Sequence, residues 1–139
     1  MRAMKLILCI DNKKGMMFNS RRQSQDRELR RRMLELIGGA RLWMSPYSAK
    51  QFEGDDSIIA DSDFMDLAGE GDYCFVEDSN FTLDDVDEVV LYLWNRDYPA
   101  DKYFEFDLSA AGFKLVSSED FKGYSHEKIT QKIYKRTEK

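Results

Sequence analysis

Two kinds of apolar run occur in this chain, and their order constrains the fold more than any other feature. KLILCID (5–11), ARLWM (40–44), SIIAD (57–61), YCFVE (73–77) and DEVVLYLWN (87–95) are short and do not alternate cleanly between apolar and polar residues. Such runs belong to strands covered on both faces, the usual state of a parallel sheet. The last two runs, FKLVSSEDF (113–121) and KITQKIYKR (128–136), do alternate. That is the pattern of half-exposed antiparallel strands. Buried strands first and amphipathic strands last predict an α/β fold. Its sheet is mainly parallel, and an antiparallel hairpin closes one edge.

Helices fit between the strands. Leu29, Met33, Leu34, Leu36 and Ile37 recur at helical spacing, and Gly38-Gly39 follows them, so a helix is expected over 24–37 with a glycine stop. One or two helical turns are expected over 47–52 and a short helix over 63–68, with turns at NKKG (12–15) and GEGD (69–72). The 139 residues, 42% of them hydrophobic, suit a single domain over 1–139 with one core.

Several function classes are excluded at this level. The net charge of −5 argues against nucleic acid or an anionic membrane surface as a partner. The apolar run LILCI (6–10) is too short for a signal-peptide core or a membrane span. Cys9 and Cys74 lie far apart in apolar runs and read as two free thiols, which places the chain in a reducing cytoplasm. One histidine, His126, and the absence of CxxC or HExxH pairs leave no metal site to propose. A dinuclear zinc site of the ribonuclease Z type cannot be built from one histidine. His126 itself, in GYSHEKIT, reads as an exposed turn residue. No GxxxxGK[ST] or GxGxxG loop is present, and SPYS lacks the context of a serine hydrolase elbow. Trp43, Tyr92 and Trp94 read as core residues.

Against this acidic background, six arginines fall in the twelve positions from Arg21 to Arg32. On a helical wheel Arg27 and Arg31 point away from the apolar face, Arg32 sits on its flank, and Arg30 falls within the apolar arc one turn after Asp26. Arg30 is therefore either an i,i+4 partner of Asp26 with its stem along the core, or a cation facing a pocket. Arg21 and Arg22 precede the helix beside Met16, Met17 and Phe18. They read either as part of a loop that closes over a carboxylate or phosphate, or as exposed charges paired with the acids of 77–88.

The order of elements resembles dihydrofolate reductase over nearly the whole chain. LILCIDNKKGMMFN resembles that family's opening strand and active-site loop. ARLWMSPYS stands where the family has a strand ending Met-Gly-Arg-x-Thr. DEVVLYLWNRDYPADKYFEFD and the pair GFKLVSSEDF, GYSHEKITQKIYKR match its late strand and final hairpin. The resemblance implies a three-layer dihydrofolate reductase-like fold. It also implies an NADPH site, which the residues disfavour. Ser45, Pro46, Tyr47 and Ser48 replace the phosphate-binding Gly-Arg-x-Thr, leaving only Ser45, Tyr47 and Ser48 as weak cofactor contacts. Glu77 and Asp78 replace the glycine pair that cradles a pyrophosphate. Asp55 lies near the place of the folate-binding arginine, and Tyr92 stands for the late-strand threonine. Asp26 matches the acid that contacts the pterin. It is the one candidate for a catalytic role, and its other reading is a first-turn acid favoured by the helix dipole.

Three functional expectations follow. The first is a divergent protein of this fold that binds a small anionic metabolite or nucleotide in the cleft, with Asp26, Arg30, Arg21, Arg22, Met16, Phe18 and Met33 as ligand contacts. The second is an oxidoreductase that uses NADPH on a pterin, folate or flavin-like substrate. The third is a non-catalytic module in which the arginine-rich helix and the 77–88 acids form a homo-oligomer or partner surface.

Overall fold

The computed structural model describes residues 4–19, 21–52, 57–77 and 81–137. Seven strands form one sheet: β1 (Met4–Ile10), β4 (Leu42–Met44), β5 (Ile58–Ala60), β6 (Tyr73–Phe75), β7 (Val86–Leu93), β9 (Phe113–Phe121) and β10 (Ile129–Arg136). Their order is β5-β4-β6-β1-β7-β10-β9. The five strands from β5 to β7 run parallel, and β10 then pairs antiparallel with both β7 and β9. The expected hairpin is therefore present at one edge.

Residue alternation along the central strands explains why they read as continuous apolar runs. On β1, Leu6, Leu8 and Ile10 enter one core and Ile7 enters the other; on β7, Val89 and Leu91 enter the first and Val90 and Tyr92 the second. Both faces are covered, so neither needs polar residues. The helix α1 (Arg27–Ile37) lays Leu29, Met33 and Ile37 on the second face. The segment carrying Phe104 and Leu108, together with Phe64 of the short helix α3 (Phe64–Leu67), covers the first.

A second, three-stranded antiparallel sheet joins β2 (Gly15–Phe18), β3 (Arg21–Arg22) and β8 (Lys102–Tyr103) in the order β3-β2-β8. The sequence pattern does not announce it. Strands of two to four residues carry no readable period, and β2 finds β8 more than eighty residues later. The start of α1 also differs from the expected helix over 24–37. Asp26 is extended at φ −151° and caps the helix, so the helix begins at Arg27. Gly38, in the left-handed region at φ 58°, ends it as expected. No helix among the described residues is long and apolar enough to cross a membrane.

Candidate functional site

Loops gather at the carboxyl ends of β1, β4, β6 and β7, where ligands bind in open α/β sheets. Three buried carboxylates organise them. Asp11, just after β1, accepts the backbone N–H of Lys13, Gly15 and Tyr98 and the side-chain amide of Gln23. Burial alone would raise its pKa, but these bonds outweigh it and hold the carboxyl below the usual range. Asp11 thereby ties the turn before β2, the segment before β8 and the chain entering α1 to one point.

Asp26 is the second. One of its oxygens caps α1 through the N–H of Glu28 and Leu29 and accepts the N–H of Tyr124 at 2.8 Å. The other accepts the N–H of Ser125 at 2.9 Å, the Ser125 hydroxyl at 3.2 Å and Nδ1 of His126 at 2.8 Å. Burial pushes its pKa up. The backbone N–H of Tyr124, the His126 ring, and the N–H groups of Ser125 and Leu29 pull it far lower, well below the usual carboxylate range. Asp26 is thus a fixed anion whose acceptor positions are in use inside the protein.

His126 is correspondingly not the exposed turn residue expected from its local sequence. It is buried, with its ring stacked on Trp94 at 4.7 Å between centroids. An ionised Asp26 can only accept, so Nδ1 carries a proton. Nε2 then faces two hydroxyls, Ser24 Oγ at 3.1 Å and Tyr98 Oη at 3.1 Å. Local sequence carries no sign of this cluster, because Asp26 and His126 are one hundred residues apart and meet only when the turn before β10 closes over the N-terminus of α1.

Glu77 is the third carboxylate. It follows β6, is buried, and takes two hydrogen bonds from the Arg22 guanidinium, at 2.9 and 3.2 Å. Ser48 donates its hydroxyl to Glu77 at 2.7 Å and Gln51 its side-chain amide at 3.3 Å. Arg22 also lies over the Tyr47 ring at 4.5 Å, and its backbone N–H reaches the Tyr47 hydroxyl. Ser45 caps the short helix α2 (Pro46–Ala49) through the N–H of Ser48.

The expected ligand residues divide among three places. Asp26, Arg30 and Met33 line one gap with Ser24, Gln51 and Trp94, but its volume is about 10 Å³, room for about one water. The Arg30 guanidinium is not paired with the Asp26 carboxylate; it donates to Gln25 at 3.2 Å, and Arg30 meets Asp26 only through its backbone N–H, at the Asp26 carbonyl. Phe18, Arg21 and Arg22 line an open groove of about 460 Å³ with Asn19, Gln23, Tyr98 and Pro99. Met16 lines a different groove, of about 620 Å³, with Phe81, Lys102, Tyr103 and Phe106. Of the other arginines of α1, Arg27 and Arg31 are exposed and Arg32 is partly buried. Arg31 bonds Glu28 and Glu35, Arg32 bonds Glu119 and covers the Phe121 ring, and Arg27 covers the Tyr124 ring. Asp55 and Asp78 lie outside the described residues. Tyr92, placed by the sequence at the late-strand threonine, is fully buried and donates its hydroxyl to Gln131; Trp94, two residues on, borders the small gap.

No protein-family model and no curated protein sequence matches the chain. Among solved structures it is similar to dihydrofolate reductase from Enterococcus faecalis, complexed with NADP(H) and RAB-propyl, with a TM-score of 0.67 over 98% of this chain and 97% of that one, at 8% sequence identity. The chain has a dihydrofolate reductase-like fold. Within that fold, the residues at the end of β6 and the start of α2 are bonded to one another. A buried carboxylate, Glu77, takes the Ser48 hydroxyl and the Arg22 guanidinium, so the hydroxyl and the cation nearest this point are already engaged inside the protein. Pro46 at the first turn of α2 removes one N–H that an anion could use.

Proposed function

We propose that this dihydrofolate reductase-like protein binds a small anionic metabolite or nucleotide. The groove between the β2–β3 hairpin and Tyr98-Pro99 receives it, rather than the gap beside Asp26. The observation that carries this reading is the lining of the groove. Two adjacent arginines and the faces of Phe18 and Tyr98 border a space of about 460 Å³, within the usual range for small-molecule sites. Phe18 keeps 41% of its surface exposed, a large apolar ring left open beside cations.

The two arginines have different tasks. Arg22 is held against Glu77 and Tyr47, so its charge is largely balanced and its geometry set. Arg21 is exposed, on the outer strand of the small sheet. Its planar fork suits a carboxylate or phosphate, while an aromatic ring of the ligand would stack on Phe18 or Tyr98.

A thermal-shift and calorimetric screen against nucleotides, NADP(H), folates, flavins and dicarboxylates tests this, since a ligand of the native state raises Tm by mass action. An anion from the panel is expected to bind, and Arg21→Glu is expected to weaken it at least about tenfold through lost pairing and added repulsion. Equal affinity in Arg21→Glu rejects the groove as the site. Binding of no anion in the panel rejects the reading.

A further inference from the structure

The cluster around His126 has a use that anion binding does not explain. We propose that Ser24, His126 and Asp26 form a nucleophilic relay that hydrolyses esters of small carboxylic acids. The geometry is that of a serine nucleophile, its base and the base's orienting acid. Ser24 Oγ lies 3.1 Å from His126 Nε2, and His126 Nδ1 lies 2.8 Å from Asp26 Oδ2. Such a constellation is recognised by geometry and roles rather than by sequence order or fold.

Each member is placed for its task. Asp26 is buried and pinned by backbone N–H groups, so it holds the imidazole in one orientation and stabilises the positive charge that forms there. Trp94 covers one ring face at 4.7 Å. Nε2, with Nδ1 protonated, is the ring's free acceptor and faces the hydroxyls. Ser24 lines the gap of about 10 Å³, too small for an ester, but is only partly buried, so the substrate meets it from its solvent-exposed part, next in sequence to Gln23 of the 460 Å³ groove. The fold does not need the Ser24 hydroxyl as it needs Asp26: among the described residues it bonds His126 and no backbone group.

The steps balance. Ser24 Oγ bonds to the ester carbonyl carbon as its proton passes to Nε2. The carbonyl π electrons move to oxygen and give a tetrahedral oxyanion. Nε2 has a single lone pair, so while Ser24 donates to it the Tyr98 hydroxyl, 3.1 Å from the same nitrogen, keeps its own proton to donate to the oxyanion. The intermediate collapses, the bond from carbon to the alkoxy oxygen breaks, and the alcohol leaves with the proton from Nε2. Water then attacks the acyl-serine by the same path, giving the carboxylic acid and restoring Ser24. This chemistry does not depend on anion binding at Arg21.

The test uses the intact chain with p-nitrophenyl acetate as substrate and a fluorophosphonate as covalent probe. Mass spectrometry of the labelled protein is expected to place the phosphonyl group on Ser24, with p-nitrophenol released above the buffer rate. Ser24→Ala, which removes one partly exposed hydroxyl and leaves the Asp26 network intact, is expected to lose the label and fall to background. Tyr98→Phe is expected to slow hydrolysis about tenfold to a hundredfold. Failure of the folded wild-type chain to label at Ser24 overturns the proposal. So does a Ser24→Ala protein, folded by circular dichroism, that hydrolyses the ester at the wild-type rate.

Discussion

Replacing Asp26 with alanine is expected to destabilise the protein by about 4 kcal/mol, one of the largest losses a single side chain here can cause. The carboxylate receives the N–H groups of Glu28, Leu29, Tyr124 and Ser125 as well as the Ser125 hydroxyl and His126. Alanine removes the cap of α1, worth about 1 kcal/mol. It also leaves donors at a buried site without an acceptor, at about 1–3 kcal/mol for each that water cannot reach. For a chain of this length that is a fall in Tm of about 15 °C, measurable by calorimetry or by urea unfolding at pH 7. An asparagine side chain at this position would keep one oxygen for the cap but turn an NH₂ group toward donors, so Asp26→Asn recovers only part of the loss.

The same residue sets an acid limb. Its pKa is depressed in the folded protein, so its stabilisation is fully present above the unfolded carboxylate value of about 4. That contribution declines as pH falls below this value and is gone once pH passes the folded pKa. Unfolding free energy is therefore expected to drop between about pH 5 and about pH 2 more steeply in the wild type than in Asp26→Asn. Asp11 and Asp72, whose pKa values are also lowered, keep some slope in the variant. Parallel curves for the two proteins would show that Asp26 is not held as an anion.

Gly123→Ala is the second large effect, at about 3 kcal/mol. A Cβ at this position would lie 2.7 Å from Asp26 Oδ2 and 2.8 Å from Ile129 Cδ1. Neither neighbour can yield. The oxygen is fixed by its hydrogen bonds, and Ile129 is fully buried. Moving the glycine instead would break its N–H bond to the His126 carbonyl at 2.9 Å, which closes the turn over Asp26. Gly69→Ala is the control: there the added Cβ stands 3.6 Å from Asp72 Oδ2, an ordinary contact, and the change is expected to cost less than about 1 kcal/mol. Thermal unfolding of the two variants side by side measures the difference, and equal Tm values would refute the clash.

Both effects converge on a cluster that also carries the proposed relay, and this separates the two roles of the site. Asp26 and Gly123 hold the turn before β10 against the start of α1. The hydroxyls of Ser24 and Tyr98 face the histidine that this turn delivers. Substitutions at Asp26 are therefore expected to change stability and activity together, whereas Ser24→Ala changes activity alone.

The central sheet was legible in the chain because burial leaves a local trace. A strand covered on both faces has no place for alternation, and KLILCID, YCFVE and DEVVLYLWN show none; FKLVSSEDF and KITQKIYKR do form the expected antiparallel hairpin, but their burial does not alternate, since β9 is exposed from Lys114 to Asp120 and β10 is buried from Ile129 to Gln131. The helix ending at Gly38 was equally plain, since its apolar spacing and its glycine stop are properties of neighbours in sequence. Arg27 and Arg31 could be assigned to solvent on the same wheel. Tertiary structure alone decided the rest. The pairing of β2 with β8, of Arg22 with Glu77 and of Asp26 with His126 joins residues 55 to 100 or so positions apart, and no local period encodes such a meeting. Each of these charged side chains has an ordinary surface reading in its own segment. They are buried because the loops at the carboxyl ends of the strands fold over one another, and a buried charge there holds its place only by finding its partner across the sheet.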